Sequence, residues 1–286
     1  MYQSDLDIVL SSKAWLNDAV IHFRMIKLAQ RHNKVNGLAT FLDPSIVTFF
    51  ARYLDLDDDG DNIMADLRKT WKFHPISNPD NNITTKLSKR WFCGIVPVND
   101  SHADPPGSMA KIGGGTHWSL LLVIIPPYTT TTNTTAMTVT STTAPSFLHF
   151  DSSPLMSNST AARIVADKMH RILLDDRRCS VSCEGNSGGC NENIHVIECH
   201  TPNQVNGYDC GIHTLLAADA AGAVAVEMTM MMTLKDLAFG GYFVDVMREK
   251  VEAYLHHMVN DHRGPSRMAR ELRTEIVSDV RSLITD

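Results

Sequence analysis

The stretch NQVNGYDCGIHTLLAAD, residues 203–219, joins a polar turn to an apolar, alanine-rich run, and Cys210 stands where the two meet. The composition of the run predicts a helix that begins near this cysteine. The positive end of the helix dipole would then face the sulfur of Cys210, which favours the thiolate. A lone cysteine entering an apolar run is more often a packing residue, however. Its interpretation as a nucleophile therefore requires a partner base.

His117 is the candidate base among the 13 histidines of the chain. It opens the apolar strand HWSLLLVII, residues 117–125, directly after GGGT, where the backbone can approach another segment closely. An imidazole base also needs a group that fixes its orientation, and Asp151 closes the next predicted strand, SFLHFD. If these strands pair antiparallel, with 117 opposite 151 and 122 opposite 146, the imidazole and the carboxylate meet at one rim of the sheet.

A donor for a developing oxyanion completes the set. Gln204 lies in the polar turn before Cys210, and its side-chain amide could act together with the backbone N–H of Cys210. His117, Asp151, Gln204 and Cys210 would together supply what acyl transfer requires.

The remaining sequence predicts an α+β fold. Residues 12–30 place Leu16, Ala19, Val20, Phe23 and Ile26 on one helical stripe, and residues 43–54 begin with Asp43 as N-cap and Pro44 at the first helical position. Helices are again expected from Cys210 to about Ala223, and from Leu234 to the end. Four apolar runs bounded by turn residues predict strands, at 91–98, 117–125, 146–151 and 194–199.

We expect residues 1–286 to form a single domain with two insertions. The run at 129–145 is mostly threonine and offers little to bury, so it is predicted to be a mobile loop between two strands. The segment at 175–193 is similarly polar and rich in glycine, and it is interpreted in the same way.

Charge and composition exclude several classes of function. The chain carries 26 basic and 32 acidic residues and no dense basic cluster, which argues against a nucleic-acid partner. The N-terminus lacks the basic region of a signal peptide, and the longest apolar run, residues 120–125, is too short to cross a bilayer. We therefore expect a monomer in the cytoplasm or the nucleus, without a membrane partner, whose six cysteines are free thiols or metal ligands.

Two metal sites are conceivable, and neither is favoured. DLDDDGDNIMAD, residues 55–66, follows an EF-hand loop in part, but Asp66 replaces the glutamate of the twelfth position and Asn62 the apolar residue of the eighth. Four cysteines and two nearby histidines lack the usual zinc spacing. These six residues are Cys179, Cys183, Cys190, Cys199, His195 and His200. We expect a solvated acidic turn, an insertion with incidental thiols, and no metal or other cofactor.

Several blocks resemble one enzyme family. GGGTHWSLLLV, LHFDSS and QVNGYDCGIH are similar to the characteristic blocks of the ubiquitin-like-protein proteases, the cysteine peptidases that process SUMO and the neddylation modifier. SDLDIVLSSKAWLNDAVIHF, residues 4–23, resembles the N-terminal block of that family. The resemblance runs in order from residue 4 to about residue 220. GGTHWSLL and the compact N-terminus are most similar to the deneddylating branch.

The resemblance implies a papain-like fold and a role for each candidate residue. Cys210 would be the nucleophile, His117 the general base and then acid, Asp151 the residue that orients it, and Gln204 the oxyanion donor. Trp118 would lie over the Gly-Gly tail of the substrate, in a tunnel that excludes side chains near the scissile bond. In addition, Trp15 and Asp18 match the block that lines the tail channel, although they could equally be a buried helix tryptophan and an exposed acid. Asn206 fits the family pattern without a defined role.

The function so implied is cleavage after the C-terminal Gly-Gly of a ubiquitin-like modifier, preferably the neddylation modifier. A SUMO protease of the same family is one alternative. A module that binds a ubiquitin-like partner without cutting it is another, although every expected catalytic position is filled. An acetyltransferase on a related scaffold would need an acetyl-CoA site, and no segment suggests one. Sequence does not distinguish maturation of a precursor from removal of the modifier from targets.

Overall fold

A computed structural model describes residues 3–11, 13–32, 39–53, 91–104, 115–126, 128–133, 136–141, 145–173, 194–231 and 240–285. The helices are α1 (Gln3–Leu10), α2 (Asp18–His32), α3 (Pro44–Tyr53), α4 (Ser159–Leu173), α5 (Cys210–Met231), α6 (Gly240–Asp261) and α7 (Pro265–Thr285). The strands are β1 (Ala39–Phe41), β2 (Phe92–Asn99), β3 (Trp118–Ile125), β4 (Tyr128–Asn133), β5 (Ala136–Ser141), β6 (Ser146–Phe150) and β7 (Val196–Cys199). The α+β class is as predicted.

Five strands form a central mixed sheet in the order β1-β2-β3-β6-β7. The inner pairs β2–β3 and β3–β6 are antiparallel, whereas the outer pairs β1–β2 and β6–β7 are parallel. All four predicted strands are confirmed as β2, β3, β6 and β7. The short edge strand β1 was not predicted, because three residues are too few to show an alternating pattern.

Both faces of the sheet are covered. Alternate residues of β3 belong to two separate buried clusters: Leu120 and Leu122 lie with α2 and α5, while Leu121 and Val123 lie with α3 and α4. A strand that is buried on both faces needs apolar side chains throughout, which explains the unbroken run of apolar residues in β3. Because β3 is fixed in the core on both faces, the position of His117, directly before its first residue, is also fixed.

Helix α5 is the long apolar helix at the centre of the larger cluster. Its window Cys210–Met228 is long and apolar enough to cross a membrane by length and composition, but 78% of that window is buried inside the protein. A core helix packed on several sides has the same composition. It starts at Cys210, as predicted, but it continues to Met231 rather than ending near Ala223, and α6 starts only at Gly240.

The predicted N-terminal helices are confirmed with corrected bounds. α2 begins at Asp18, so Leu16 precedes the helix, and Ile26 of the predicted stripe is 42% exposed while Ile21 and Met25 are buried. The cap of α3 is as predicted: the backbone N–H of Ser45 donates to Asp43 Oδ1 at 2.9 Å.

The register between β3 and β6 differs from the predicted one by two residues. Leu122 pairs with Leu148, and Ile124 pairs with Ser146. A shift by two residues leaves every side chain on its original face of the sheet, whereas a shift by one would reverse all of them. The predicted meeting of His117 and Asp151 is therefore preserved despite the wrong register.

The interpretation of residues 129–145 as a loop without regular structure was wrong. β4 and β5 pair antiparallel as a separate two-stranded sheet, with Asn133 opposite Ala136. Threonine is β-branched and favours extended backbone, so a threonine run can pair with itself even where it has little to bury. The predicted insertion at 175–193, the acidic turn at 55–66 and residues Cys179, Cys183 and Cys190 lie outside the described residues.

Candidate active site

Cys210 is the first residue of α5, and only 1% of it is exposed. The helix begins here because the carbonyl of Asp209 accepts the first helical hydrogen bond, from His213 N–H at 3.0 Å. The next residue has to be small, since a Cβ on Gly211 would lie 3.0 Å from Leu16 Cβ. The sulfur therefore lies at the positive end of the helix dipole, as the sequence predicted.

His117 lies at the entrance to β3 and is also 1% exposed. Polar residues at the end of β2 hold the segment before it. Asn99 Oδ1 accepts from Gly115 N–H at 2.8 Å, and Asp100 accepts from the backbone N–H groups of Thr116 and His117 at 2.7 and 3.2 Å. A Cβ on Gly115 would lie only 1.6 Å from Asp100 Oδ1. The glycine next to this histidine thus allows the close backbone approach that the sequence predicted.

Asp151 follows β6 and contacts the imidazole directly. His117 Nε2 donates to Asp151 Oδ1 over 2.7 Å. The carboxylate also accepts from the backbone N–H of Ser153 at 3.0 Å and from that of Asn158 at 2.9 Å. Burial alone would raise the pKa of Asp151, but these donors hold it below its usual value. The carboxylate is therefore ionised and fixed at neutral pH.

The second ring nitrogen of His117, Nδ1, is not bound to Asp151 and is therefore the one that can transfer a proton. His117 Nδ1 is buried and has no hydrogen-bond partner of standard geometry among the described residues, while the Cys210 thiol is near enough to affect the charge on the ring. Burial lowers the pKa of His117, but the hydrogen bond with Asp151 and the interaction with Cys210 outweigh it and raise the pKa to about 9. At neutral pH the ring is therefore protonated, and an imidazolium beside a thiol favours the thiolate.

The other described cysteines have a different environment. Burial raises the pKa of Cys93 to about 12. Burial, together with the nearby Glu252 carboxylate, raises that of Cys199 to about 12 as well. A thiol with such a pKa is not nucleophilic at neutral pH. Cys210 is the cysteine of the described residues that lies beside a histidine–carboxylate pair.

Gln204 lies in the turn before α5 and is nearly buried. Its Oε1 accepts from Ser152 Oγ at 2.9 Å, and its Nε2 donates to Asn206 O at 2.6 Å. An amide carries two N–H groups, so one of them is free of that bond. Asn206, which had no defined role, organises the same turn: its Oδ1 accepts from the backbone N–H groups of Tyr208 and Asp209, both at 3.0 Å.

The predicted tail-binding residues lie around the N-terminal loop. Trp118 is buried, and its Nε1 donates to Leu16 O at 3.0 Å. Trp15 is 46% exposed, precedes α2, and donates from Nε1 to Gly207 O at 2.5 Å, so it is not a buried helix residue. Asp18 is the first residue of α2, and burial raises its pKa.

Asn158 is a site residue that the sequence did not reveal. Its side chain is buried, and Nδ2 lies 3.2 Å from His117 O, 3.3 Å from Val98 O and 3.1 Å from Ser119 Oγ. Its backbone N–H binds Asp151. An asparagine before an apolar helix predicts an N-cap for α4, but nothing local shows that its side chain reaches another strand. Asn158 therefore connects both members of the histidine–carboxylate pair.

No group of three or more metal-ligating side chains occurs within the described ranges. The chemistry available at the site is that of a thiol, an imidazole, a carboxylate and backbone N–H groups at a helix start. This combination can form and break a thioester with a carbonyl substrate.

The chain is similar to several known proteins. Probable sentrin-specific protease 8 of Dictyostelium discoideum is 26% identical over 219 residues, which cover 75% of this chain and 68% of the relative. Sentrin-specific protease 8 of Homo sapiens is 25% identical over 219 residues, covering 76% and 75%. Among solved structures, a de-sumoylating protease has a TM-score of 0.47 at 14% identity and covers 100% of this chain and 90% of that chain.

A family model also matches most of the chain. Residues 14–236 match the Ulp1 protease family, C-terminal catalytic domain. The matched range includes Cys210, His117, Asp151 and Gln204, and it extends over well more than half of the sequence. The chain therefore belongs to the Ulp1 protease family and is a cysteine protease.

Proposed function

We propose that this protease cleaves after the C-terminal Gly-Gly of a ubiquitin-like modifier and that it prefers the neddylation modifier. The observation that carries the proposal is His117, whose Nε2 is held by Asp151, whose Nδ1 is buried, and whose charge the nearby Cys210 affects. The preference for the neddylation modifier is supported by the resemblance of GGTHWSLL to the deneddylating branch. It is also supported by similarity to relatives named sentrin-specific protease 8.

In this proposal Cys210 is the nucleophile. The thiolate attacks the carbonyl carbon of the last glycine, and the negative charge moves to the carbonyl oxygen. Protonated His117 then donates its Nδ1 proton to the leaving amine as the C–N bond breaks, which leaves a thioester on Cys210. Neutral His117 next takes a proton from water, whose oxygen attacks the thioester and releases the modifier. Asp151, which stays ionised, keeps the ring oriented throughout.

Gln204 is the proposed side-chain donor to the oxyanion. Its amide is held on the turn by Ser152 and by the carbonyl of Asn206, so its position is defined before substrate binds. The backbone N–H of Cys210, in the first turn of α5, is the second donor. A fixed donor stabilises the developing charge without reorganisation, and such a contact is typically worth about 3 kcal/mol.

Trp118, Trp15 and Asp18 are proposed to line the channel for the Gly-Gly tail. The two tryptophans are tied to the same region, because Trp118 binds the carbonyl of Leu16 and Trp15 binds that of Gly207. Rigid aromatic walls exclude side chains near the scissile bond, which gives specificity for glycine. This selection acts on every modifier with a Gly-Gly end, so discrimination among modifiers has to come from contacts farther from the bond.

The proposal is tested with modifiers that carry a C-terminal electrophile. We expect the neddylation-modifier probe to label wild-type protein at Cys210, and Cys210→Ser to lose labelling and cleavage while it remains folded. Cys93→Ser and Cys199→Ser are matched controls and should keep both activities. Cleavage at the wild-type rate by a folded Cys210→Ser protein would contradict the assignment of the nucleophile.

Selectivity is measured as kcat/KM on C-terminal fluorogenic derivatives of the neddylation modifier, SUMO and ubiquitin. We expect the first to react at least about tenfold faster than the others, a difference of roughly 1.4 kcal/mol in transition-state binding. Trp118→Ala should weaken all three reactions alike. If SUMO is the best substrate, the preferred branch is wrong and the family assignment stands. A chain that binds a modifier but neither cuts it nor is labelled would be a binding module.

A further inference from the structure

Arg273 connects helix α7 to the residue that precedes the nucleophile. It lies outside the range 14–236 that matches the family, and it is only 7% exposed. Its Nε and Nη2 donate to one oxygen of Asp209, Oδ1, at 3.0 and 2.8 Å. The remaining hydrogen bonds of the guanidinium go to the backbone carbonyls of Ser11, Ala14 and Tyr208. A buried guanidinium with this many acceptors has one defined position.

Both carboxylate oxygens of Asp209 are bound by side chains that lie outside α5. Its second oxygen, Oδ2, accepts from Asn206 Nδ2 at 2.7 Å. Since the backbone carbonyl of Asp209 accepts the first helical bond, Asp209 occupies the N-cap position of α5. An aspartate at an N-cap usually accepts from N–H groups of the first helical turn. Among the described residues, no hydrogen bond joins this carboxylate to the N–H groups of α5.

We propose that Arg273 is a positioning residue that holds the Asp209 carboxylate away from the first turn of α5. The N–H groups and the positive end of the helix dipole are then available to stabilise the thiolate of Cys210 and the oxyanion of the substrate. The carboxylate of Asp209 does not compete for them. This inference rests on Cys210 being the nucleophile of the proposed function.

Loss of the guanidinium has a specific consequence for the site. The Asp209 carboxylate would lose the partner that binds Oδ1 and could rotate into the capping position. A negative charge would then lie beside Cys210, where it disfavours the thiolate and competes for the N–H groups that stabilise the transition state. Removing that charge as well, by Asp209→Asn, should relieve the effect.

Arg24 provides a matched control for the loss of a buried ion pair. It is 3% exposed and binds Glu275 at 2.9 Å, so it also connects to α7, but through α2 and away from the turn that carries Cys210. Arg24→Gln and Arg273→Gln each remove one buried guanidinium and the ion pairs that it makes with carboxylates. Both should lower the thermal midpoint, whereas only the second should affect the chemical step.

The experiment compares wild type, R24Q, R273Q, D209N and R273Q/D209N. Each protein is assayed for kcat and KM on the fluorogenic modifier derivative that wild type cleaves best, and for its thermal midpoint. We expect R273Q to lower kcat at least about tenfold with KM changed less than about threefold. R24Q should stay within about twofold of wild-type kcat, and R273Q/D209N should recover to within about threefold of D209N.

Several results would overturn the inference. A folded R273Q protein with wild-type kcat would do so, and so would an R273Q defect that D209N fails to relieve, because a purely structural clamp predicts no rescue. If R273Q does not fold, R273K and R273K/D209N make the same comparison, since lysine cannot reproduce the two-nitrogen contact. Wild-type protein that cleaves none of the three modifiers would instead contradict the proposed function.

Discussion

At the scale of single residues, the proton on His117 sets how the site depends on pH. The raised pKa of this ring, about 9, means that it is protonated through the neutral range. In the proposed mechanism, protonated His117 supplies the proton for the leaving amine. Activity should therefore persist well above the pH at which an ordinary histidine, with a pKa near 6.5, loses its charge.

We predict that kcat/KM of the wild-type enzyme falls as the pH rises through about 9, as His117 loses its proton. Asp151→Asn removes the charge and weakens the hydrogen bond that raise this pKa, so the alkaline fall should move to lower pH and the maximum rate should drop. The measurement is kcat/KM from pH 6 to pH 10 in buffers of constant ionic strength. An alkaline fall at the same pH in both proteins would show that another group controls it.

At the scale of secondary-structure elements, the β4–β5 hairpin stands apart from the central sheet. It lies between two strands that pair directly with each other, β3 and β6, and a short turn could join these strands. Loop length affects stability only weakly when the strands on either side are already paired.

Replacement of residues 129–145 by a four-residue Gly/Asn turn should therefore leave the thermal midpoint within a few degrees of wild type. Leu122→Ala in β3 is the contrasting variant: this side chain is fully buried, so its truncation should cost about 2–5 kcal/mol. Insoluble protein after the loop replacement would indicate that the hairpin packs against another part of the chain.

Elements with a strong local pattern could be predicted from the sequence. The strands β2, β3, β6 and β7 and the starts of α3 and α5 follow from runs of apolar residues and from capping residues. The strand β1 and the hairpin could not be predicted, since the first is too short for a pattern and the second is mostly threonine. The register of β3 against β6 was missed because uniform burial of β3 makes neighbouring registers look alike in sequence.

The residues of the site also differ in whether a local sequence pattern marks them. Cys210, His117 and Asp151 each lie at the end of a predictable element. The meeting of His117 and Asp151 could be inferred from the pairing of two strands, whereas Cys210 was joined to them by the resemblance to a family. The contacts of Asn158 and Arg273 depend on tertiary packing: 64 residues separate Arg273 from Asp209. No local motif marks an arginine that will be buried against a distant turn.

At the scale of the whole molecule, two buried histidines oppose stability in acid. Burial, with the nearby Arg52 charge, lowers the pKa of His102 to about 3, and burial lowers that of His213 to about 4. For His102 the geometry agrees, because Nδ1 accepts from the backbone N–H of Asn99 and protonation would break that bond. Below about pH 6.5 these two histidines are protonated in the unfolded chain but remain neutral in the folded protein. The free energy of unfolding therefore falls as the pH falls.

We predict a lower free energy of unfolding at pH 5 than at pH 7, by about 2 kcal/mol for each of these histidines. His117 has the opposite effect, because its pKa is raised in the folded state. Its contribution to the free energy of unfolding is complete below pH 6.5 and is lost as the pH rises through about 9. The check is urea unfolding at pH 5, 7 and 9. His102→Gln should flatten the change between pH 7 and pH 5, and an unaltered slope in that variant would exclude His102 as a source.

The pairing of Asp209 with Arg273 also has a consequence for the chain while it is being synthesised. The ribosome adds Arg273 64 residues after Asp209, which takes about 3–13 s at 5–20 residues per second. During that interval the cysteine is already present but the acid beside it has no guanidinium partner. With the roles proposed for Cys210 and Arg273, the nascent chain contains the nucleophile first and the residue that fixes the neighbouring turn much later, so full activity would begin only after α7 has docked.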